Sequence, residues 1–388
     1  MTTDAILELR LIGYESGSAT NSILKEDNLM VQTADVKANK WGKADGKGPM
    51  GLDWSGCYPC TIIPYTDKTC REVDEDAFRS LVRDLYEADI AGIDPNEVEG
   101  LSREETIRLM QIAKEEAKGR FPVTGKVEAR NGQWTWDLIE EAERVIEAGA
   151  DALYLHPWVE PDNMVDFIEL YRTFDKALDI PMFGLMASPV TPAVIKQISL
   201  ECKNIAAWKF VAFGNVVLMR ELAFGMEDVE AATGRHVCPL SAGDVALAEA
   251  LINGAEGNFN GGGSWRGRYD VAIFKAVKRG DLNEAFAIQK KLEPATNAVR
   301  GRYRDRIETR GRFPHRYKMM CWLLGKIPNP YARAPRTAFS DEEVLMMRDA
   351  LIQSGLKVVR EPGECKNLGV CSDYVASTWR KPYVAGRV

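Results

Sequence analysis

The chain has 388 residues, and 50 Lys+Arg against 57 Asp+Glu give a formal charge of −7, with 45% apolar and 28% charged residues. This balance excludes a disordered or collagen-like chain and leaves no positive footprint for a nucleic-acid backbone, so the expected partner is a small molecule. No stretch approaches the roughly 18 uninterrupted apolar residues of a membrane span, and Met1-Thr-Thr-Asp-Ala5 lacks a basic segment followed by an apolar one. A cytoplasmic protein with no membrane partner is expected.

Residues 1–53 begin without a sustained apolar period and include a Lys- and Gly-rich stretch from Lys37 to Gly48, which reads as an N-terminal arm. From there, short apolar runs alternate with segments of helical period. The runs are Tyr58–Pro64, Ile90–Asp94, Val123–Glu128, Ala152–His156, Pro181–Met186, Ile205–Phe210, Val237–Ser241 and Gly257–Gly261. They start about 20 to 33 residues apart, the length of a strand, a crossover helix and two loops. Eight such units over residues 54–280 predict a (β/α)8 TIM barrel. An open doubly wound sheet is the alternative, but no Gly-x-Gly-x-x-Gly follows the first run.

The intervening helices carry their own start and stop signals. Ser102-Arg-Glu-Glu105 is a capping box for a helix ending near Lys118, before Gly119. Another helix runs from Trp134 to Ala148, with Ile139, Ala142, Val145 and Ile146 on one face. Residues 281–356 are helical in period without β-branched runs and read as a C-terminal helical extension. There Ser340-Asp-Glu-Glu343 is a second capping box, and Val344, Met347, Ala350 and Leu351 form an apolar face. Residues 357–388 read as an irregular tail.

The eight cysteines are too sparse for a disulfide scaffold and are expected as reduced thiols. Cys57-Tyr-Pro-Cys60 has zinc-knuckle spacing, and Cys365 with Cys371 would complete four ligands, but the intervals match no known finger; no metal and no cofactor are expected. Lys209, inside Ile205-Ala-Ala-Trp-Lys-Phe-Val-Ala-Phe213, is the most informative residue. A lysine within an apolar strand is compensated by an acidic neighbour, Glu128 being one candidate, or snorkels out at the strand end, or is kept partly neutral by burial and so nucleophilic toward a carbonyl.

These residues bring a resemblance with them. Thr61-Ile-Ile-Pro64-Tyr65, Val73-Asp74, Asn96-Glu97 with Leu101-Ser102-Arg-Glu-Glu105, and Ala148-Gly-Ala-Asp151-Ala resemble, in order, the early motifs of the dihydrodipicolinate synthase and N-acetylneuraminate lyase superfamily of class I Schiff-base aldolases. His156-Pro157-Trp158 resembles the turn of its hydratase-aldolase branch. Asn204-Ile-Ala-Ala-Trp-Lys209 resembles its Schiff-base segment, Leu240-Ser241-Ala-Gly243-Asp244 its serine-glycine-aspartate, and Arg333-Ala-Pro335-Arg its last-helix motif. The resemblance spans about Tyr58 to Leu356. It implies a (β/α)8 barrel with a helical extension, a homodimer or homotetramer, and an imine formed by Lys209.

Two departures stand out. The threonine turn that receives a substrate carboxylate in the family is replaced by Ile93-Asp94-Pro95, where an aspartate would repel it. The family's proton-relay tyrosine is missing from Pro181–Pro189. Acid-base work then falls to His156 and Glu128, with Lys126 beside Glu128 on the same strand face; a capping histidine and a rim salt bridge are the bland alternatives. The substrate-binding candidates are Asp94, Glu97, Trp158, Ser241, Asp244, Asn260, Gly261, Gly262 and Arg266. Asp244 is also read as a cap of the helix after the seventh run. The glycine run at 261–263 with Arg266 is read as an anion dock.

The expected function is a carbon–carbon or carbon–oxygen lyase, an aldolase or hydratase-aldolase acting through Lys209 on a 2-oxo acid or related keto compound. The other readings are a barrel that kept the lysine but serves as a small-molecule-binding or regulatory protein, and a lyase that makes no imine and relies on His156 and Glu128.

Overall fold

The computed structural model describes residues 47–96, 100–128, 135–156, 164–187, 189–211, 214–300, 313–333 and 339–361, all within one unit, Val36–Val388. The expected arm up to residue 46 and the tail from residue 362 lie outside the described residues. Among the described residues there are seven strands: β1 (Gly56–Pro59), β2 (Thr124–Glu128), β3 (Ala152–His156), β4 (Met182–Met186), β5 (Ile205–Phe210), β6 (Cys238–Ser241) and β7 (Gly257–Asn260). They form one sheet in the order β1-β7-β6-β5-β4-β3-β2, with every neighbouring pair parallel.

Helices α1 (Glu75–Glu87) and α2 (Arg103–Ala117) lie between β1 and β2. Then α3 (Thr135–Glu147), α4 (Met164–Ala177), α5 (Pro192–Glu201), α6 (Val216–Thr233), α7 (Leu247–Ile252) and α8 (Gly263–Lys278) each follow one strand from β2 to β7. Strand residues are buried almost throughout, as expected where one face meets helices and the other is also covered.

The sheet is curled. In a flat sheet β1 and β4 would stand four spacings apart, about 19 Å. Yet Tyr58 and Trp54, on and before β1, meet Phe183 of β4 edge-on at centroid distances of 5.2 and 5.6 Å. These rings, with Cys60, Tyr154, Ala207, Cys238, Leu240 and Phe259, form an inner cluster, while the outer face packs against the helices in a separate, larger one.

The second expected run, Ile90–Asp94, is not a strand of the sheet. It reaches both edges by isolated bridges. Ala91 N donates to Cys57 O and Asp94 N to Pro59 O on the β1 side, and on the β2 side Ile93 N donates to Pro122 O and Thr124 N to Ile93 O, all at 2.9–3.1 Å. The physical reason is proline: Pro59 and Pro122 opposite the run and Pro95 after it have no N–H, so a continuous ladder cannot form. Gly92 sits where a Cβ would come within 2.2 Å of the Tyr58 ring, so the run fits there only without a side chain at that position.

The local signals form as written. Ser102 and Glu105 cap α2 reciprocally, and Ser340 and Glu343 do the same for α11 (Asp341–Gln353). After β7 and α8 come α9 (Leu282–Arg300), α10 (Phe313–Leu323) and α11, whose buried Val344, Met347, Ala350 and Leu351 join Leu292, Val299, Met320 and Trp265 in a third cluster. No helix among the described residues is long and apolar enough to cross a membrane.

Candidate active site

Strand alternation decides which side chains meet. Lys209 is the fifth residue of β5, and its register partners are Leu185 on β4 and Leu240 on β6, both of the inner cluster. Its Nζ donates to Cys60 Sγ at 3.5 Å and stands 4.7 Å from the Phe259 ring centroid and 5.1 Å from that of Tyr154. On β2 and β3, Lys126 pairs with Tyr154 and Glu128 with His156, so these four share the inner face with Lys209. Glu128 and His156 end their strands, and Lys209 nearly ends its own, the pole at which barrel enzymes hold their chemistry.

Tyr154 was not singled out from the sequence. Its ring is buried and its hydroxyl has no hydrogen bond of good geometry among the described residues. Burial raises the phenol well above its ordinary range, and the Lys209 charge beside it pulls in the opposite direction. Cys60 was read from the sequence only as half of a zinc knuckle, and the structure sets it beside Lys209 instead. The signal for Tyr154 was available: it lies two positions before His156, on the same side of the strand.

His156 Nδ1 lies 3.4 Å from Glu128 Oε1, and Lys126 Nζ lies 3.8 Å from the same oxygen. Burial lowers the His156 pKa; Glu128 works against this, while Lys126 and Lys209 reinforce it. The imidazole is thus held neutral near neutral pH, in the form that accepts a proton. Asp94 is buried next to Cys60 through the Cys60–Asp94 bridge, and its charge acts on Tyr154. Glu97 and Trp158 lie outside the described residues.

The remaining candidates belong elsewhere. Ser241 pairs with Asn258, and its neighbour across β5 is Phe210, so it alternates away from Lys209; its hydroxyl accepts from Gly243 N at 3.2 Å. Asp244 does not cap α7, whose N-cap is Ala246 without a side-chain bond. Instead Asp244 Oδ1 accepts from Arg300 Nε at 2.6 Å and Oδ2 from the Tyr317 hydroxyl at 3.4 Å.

Arg266, expected to dock an anion, is buried. Its Nε donates to Asp270 Oδ1 at 2.7 Å, and NH1 to Asp244 O and Thr296 Oγ1, each at 2.8 Å. Asn260 Oδ1 accepts from Gly263 N at 2.7 Å and its Nδ2 donates to Asp270. Gly261 and Gly262 are buried among them, and a Cβ on Gly262 would lie 2.9 Å from Asp244 Oδ2. The glycines serve close approach within a polar network in which Arg266 and Arg300 already face the carboxylates of Asp270 and Asp244.

The knuckle spacing at Cys57 and Cys60 does not form a paired site. The two thiols lie three residues apart, Cys57 in the outer cluster and Cys60 in the inner one. Cys365 and Cys371 lie outside the described residues.

Parallel strands each followed by a helix, curled around a lysine with a phenol and an imidazole on the same inner face, define an α/β fold of barrel-like curvature. Residues 55–354 match the model of the dihydrodipicolinate synthetase family, and the chain belongs to that family. It is 26% identical over 316 residues to a 4-hydroxy-tetrahydrodipicolinate synthase of Endomicrobium trichonymphae, covering 78% of this chain and 99% of that protein. It is 24% identical over 310 residues to an uncharacterized DapA-like lyase of Pyrobaculum aerophilum, covering 78% and 98%. Among solved structures, YagE, a prophage protein of the same family from E. coli K12 in complex with pyruvate, aligns with a TM-score of 0.68 at 19% identity over 78% of this chain and 99% of that one. Dihydrodipicolinate synthase from Aquifex aeolicus aligns with a TM-score of 0.67 at 21% identity, covering 79% and 100%.

Proposed function

We propose that this family member is a class I lyase in which Lys209 forms an imine with the carbonyl of a small keto substrate. The observation that carries the reading is the Lys209 ammonium set among the Cys60 thiol and the Tyr154 and Phe259 rings at the C-terminal pole of the sheet. The amine attacks the carbonyl carbon, and the carbonyl electron pair moves to oxygen, which takes the Tyr154 proton. The neutral His156, oriented by Glu128, accepts the proton the nitrogen sheds and returns it to the new hydroxyl, which then leaves as water and gives the protonated imine. The protonated imine then withdraws the electron pair released in carbon–carbon cleavage, or stabilises the carbanion needed for bond formation or for loss of a β-hydroxyl.

The electrostatics favour a keto acid that does not seat its carboxylate at residues 93–95. Asp94 would repel it there, whereas the buried Lys126 offers a cation on the same face as Lys209. YagE was crystallised with pyruvate; here pyruvate is expected to be a poor donor. We further read the seven strands, joined across their open edge by the bridging run Ile90–Asp94, as one closed barrel over 54–280, with 281–356 as its helical extension, in a cytoplasmic homodimer or homotetramer.

The test is borohydride reduction in the presence of a panel of 2-oxo acids and aldehydes, followed by peptide mass mapping. A stable adduct on the peptide carrying Lys209 is expected. Turnover of a panel member without any trapped adduct would replace the imine with acid-base chemistry by His156 and Glu128 alone.

A further inference from the structure

At the opposite pole of the sheet, three metal-ligating side chains converge. His236 lies two residues before Cys238, which begins β6, and Glu256 immediately precedes β7. The ligating atoms of the three lie within 4.8 Å of one another. Glu256 Oε2 is their common point: His236 Nε2 is 2.8 Å from it, and Cys238 Sγ donates to it at 3.6 Å. The other imidazole nitrogen, Nδ1, is 2.6 Å from Glu230 Oε2 on α6, and Glu230 in turn takes Lys47.

We propose that His236, Cys238 and Glu256 form a structural Zn²⁺ site, with Glu230 holding the imidazole from behind. A carboxylate on the far nitrogen of a ligating histidine fixes its tautomer and orientation, and Glu230 stands at that place. With bonds of about 2.0 Å to nitrogen and oxygen and about 2.3 Å to sulfur, a tetrahedral ion needs an oxygen–sulfur edge of about 3.5 Å and an oxygen–nitrogen edge of about 3.3 Å. The first edge already has that length, and the second opens by about 0.5 Å when the ion takes the place of the proton between His236 and Glu256. That proton and the Cys238 thiol proton leave to solvent, and no electron is transferred. Imidazole and thiolate donors select zinc over the hard cations Mg²⁺ and Ca²⁺. The His236 side chain is 21% exposed, which gives the ion an entry path and a water its fourth position.

The site is structural rather than catalytic. Cys238 is in register with Ala207, two residues before Lys209 on β5, at the pole where barrels hold stability rather than chemistry. Glu256 also ties three strands by its backbone: its N–H donates to Pro239 O of β6, and its carbonyl accepts from Gly56 N of β1, each at 2.8 Å. A bound ion would therefore fasten the starts of β6 and β7 beside β1.

The experiment uses the full chain, stripped with a chelator and titrated with Zn²⁺ and separately with Co²⁺. One tightly bound equivalent of Zn²⁺, a raised thermal midpoint and a thiolate-to-cobalt charge-transfer band are expected. His236→Ala and Glu256→Gln should lose the equivalent, and Glu230→Gln should bind about 10–100-fold more weakly. Cys238→Ser should lose the band while Cys202→Ser keeps it. Zinc binding unchanged in His236→Ala, or a cobalt band surviving in Cys238→Ser, would overturn the proposal. So would a wild-type protein that binds no zinc or shows no thiolate band, whatever the folding of the variants; the cluster would then be a metal-free ion-paired triad.

Discussion

Two groups of charges, one buried and one part-buried, lie within this fold and are built differently. In the network behind the loops after β6 and β7, opposite charges stand at hydrogen-bond distance: Arg266 on Asp270 at 2.7 Å and Arg300 on Asp244 at 2.6 Å. On the inner face, Glu128 stands 3.4 Å from the neutral His156 and 3.8 Å from Lys126, and Lys209 faces a thiol and two aromatic rings. Tight matching removes any gain from reacting, because each charge is already compensated. On the function proposed above, the inner face instead keeps a nucleophile and a base whose energies respond to a substrate. That reading assigns the first region to the fold and the second to chemistry.

The largest effect should come from the inner face. Lys209→Ala, shown to be folded by circular dichroism, should lose turnover by on the order of 10⁴-fold or more while its unfolding midpoint stays near wild type. A variant that kept near-normal turnover would break the division at its reactive side.

The network should answer the opposite way. Arg266→Met leaves Asp270 without its closest counter-charge, and the urea midpoint should fall by the equivalent of about 3–5 kcal/mol. A stability close to wild type would show that the Arg266–Asp270 pair is not what holds the α8 start, and the comparison would have to be redrawn around Asp244 and Arg300.

Tyr154→Phe sharpens the inner-face side. Only the hydroxyl is removed from a buried ring, so stability should hold while the rate of imine formation falls by about 10²–10³-fold, read by single-turnover borohydride trapping. An unchanged trapping rate would move the proton-donor role to another group.

The smallest effect is the pH response of His156. Its pKa in the folded chain is held below the ordinary 6.5 chiefly by burial. An unfolded chain therefore takes up a proton near pH 6.5 that the folded chain still refuses, and stability should decline as pH falls through that value toward the lower folded pKa. Chemical unfolding from pH 8 to pH 5 measures this slope, and His156→Gln should flatten its part of it. A slope identical in both proteins would mean that His156 is not the group responsible.

What the sequence determined by itself was whatever a single turn or a single strand carries. The capping boxes at Ser102 and Ser340 were legible because cap and partner are three residues apart, and the inward lysine because alternation and an apolar run place it. The βα alternation likewise announced the parallel sheet. The Arg266–Asp270 pair was legible in principle, since i and i+4 share a helix face, but a glycine run suggested a ligand instead. Only the tertiary structure decided the rest. It reduced the second run to bridges because prolines far apart in sequence, Pro59 and Pro122, came to face it. It bound Asp244 to Arg300 across 56 positions, and it brought Tyr154 beside Lys209 by curling the sheet, so that side chains on non-adjacent strands β3 and β5 share one interior, an outcome of curvature that no local period encodes.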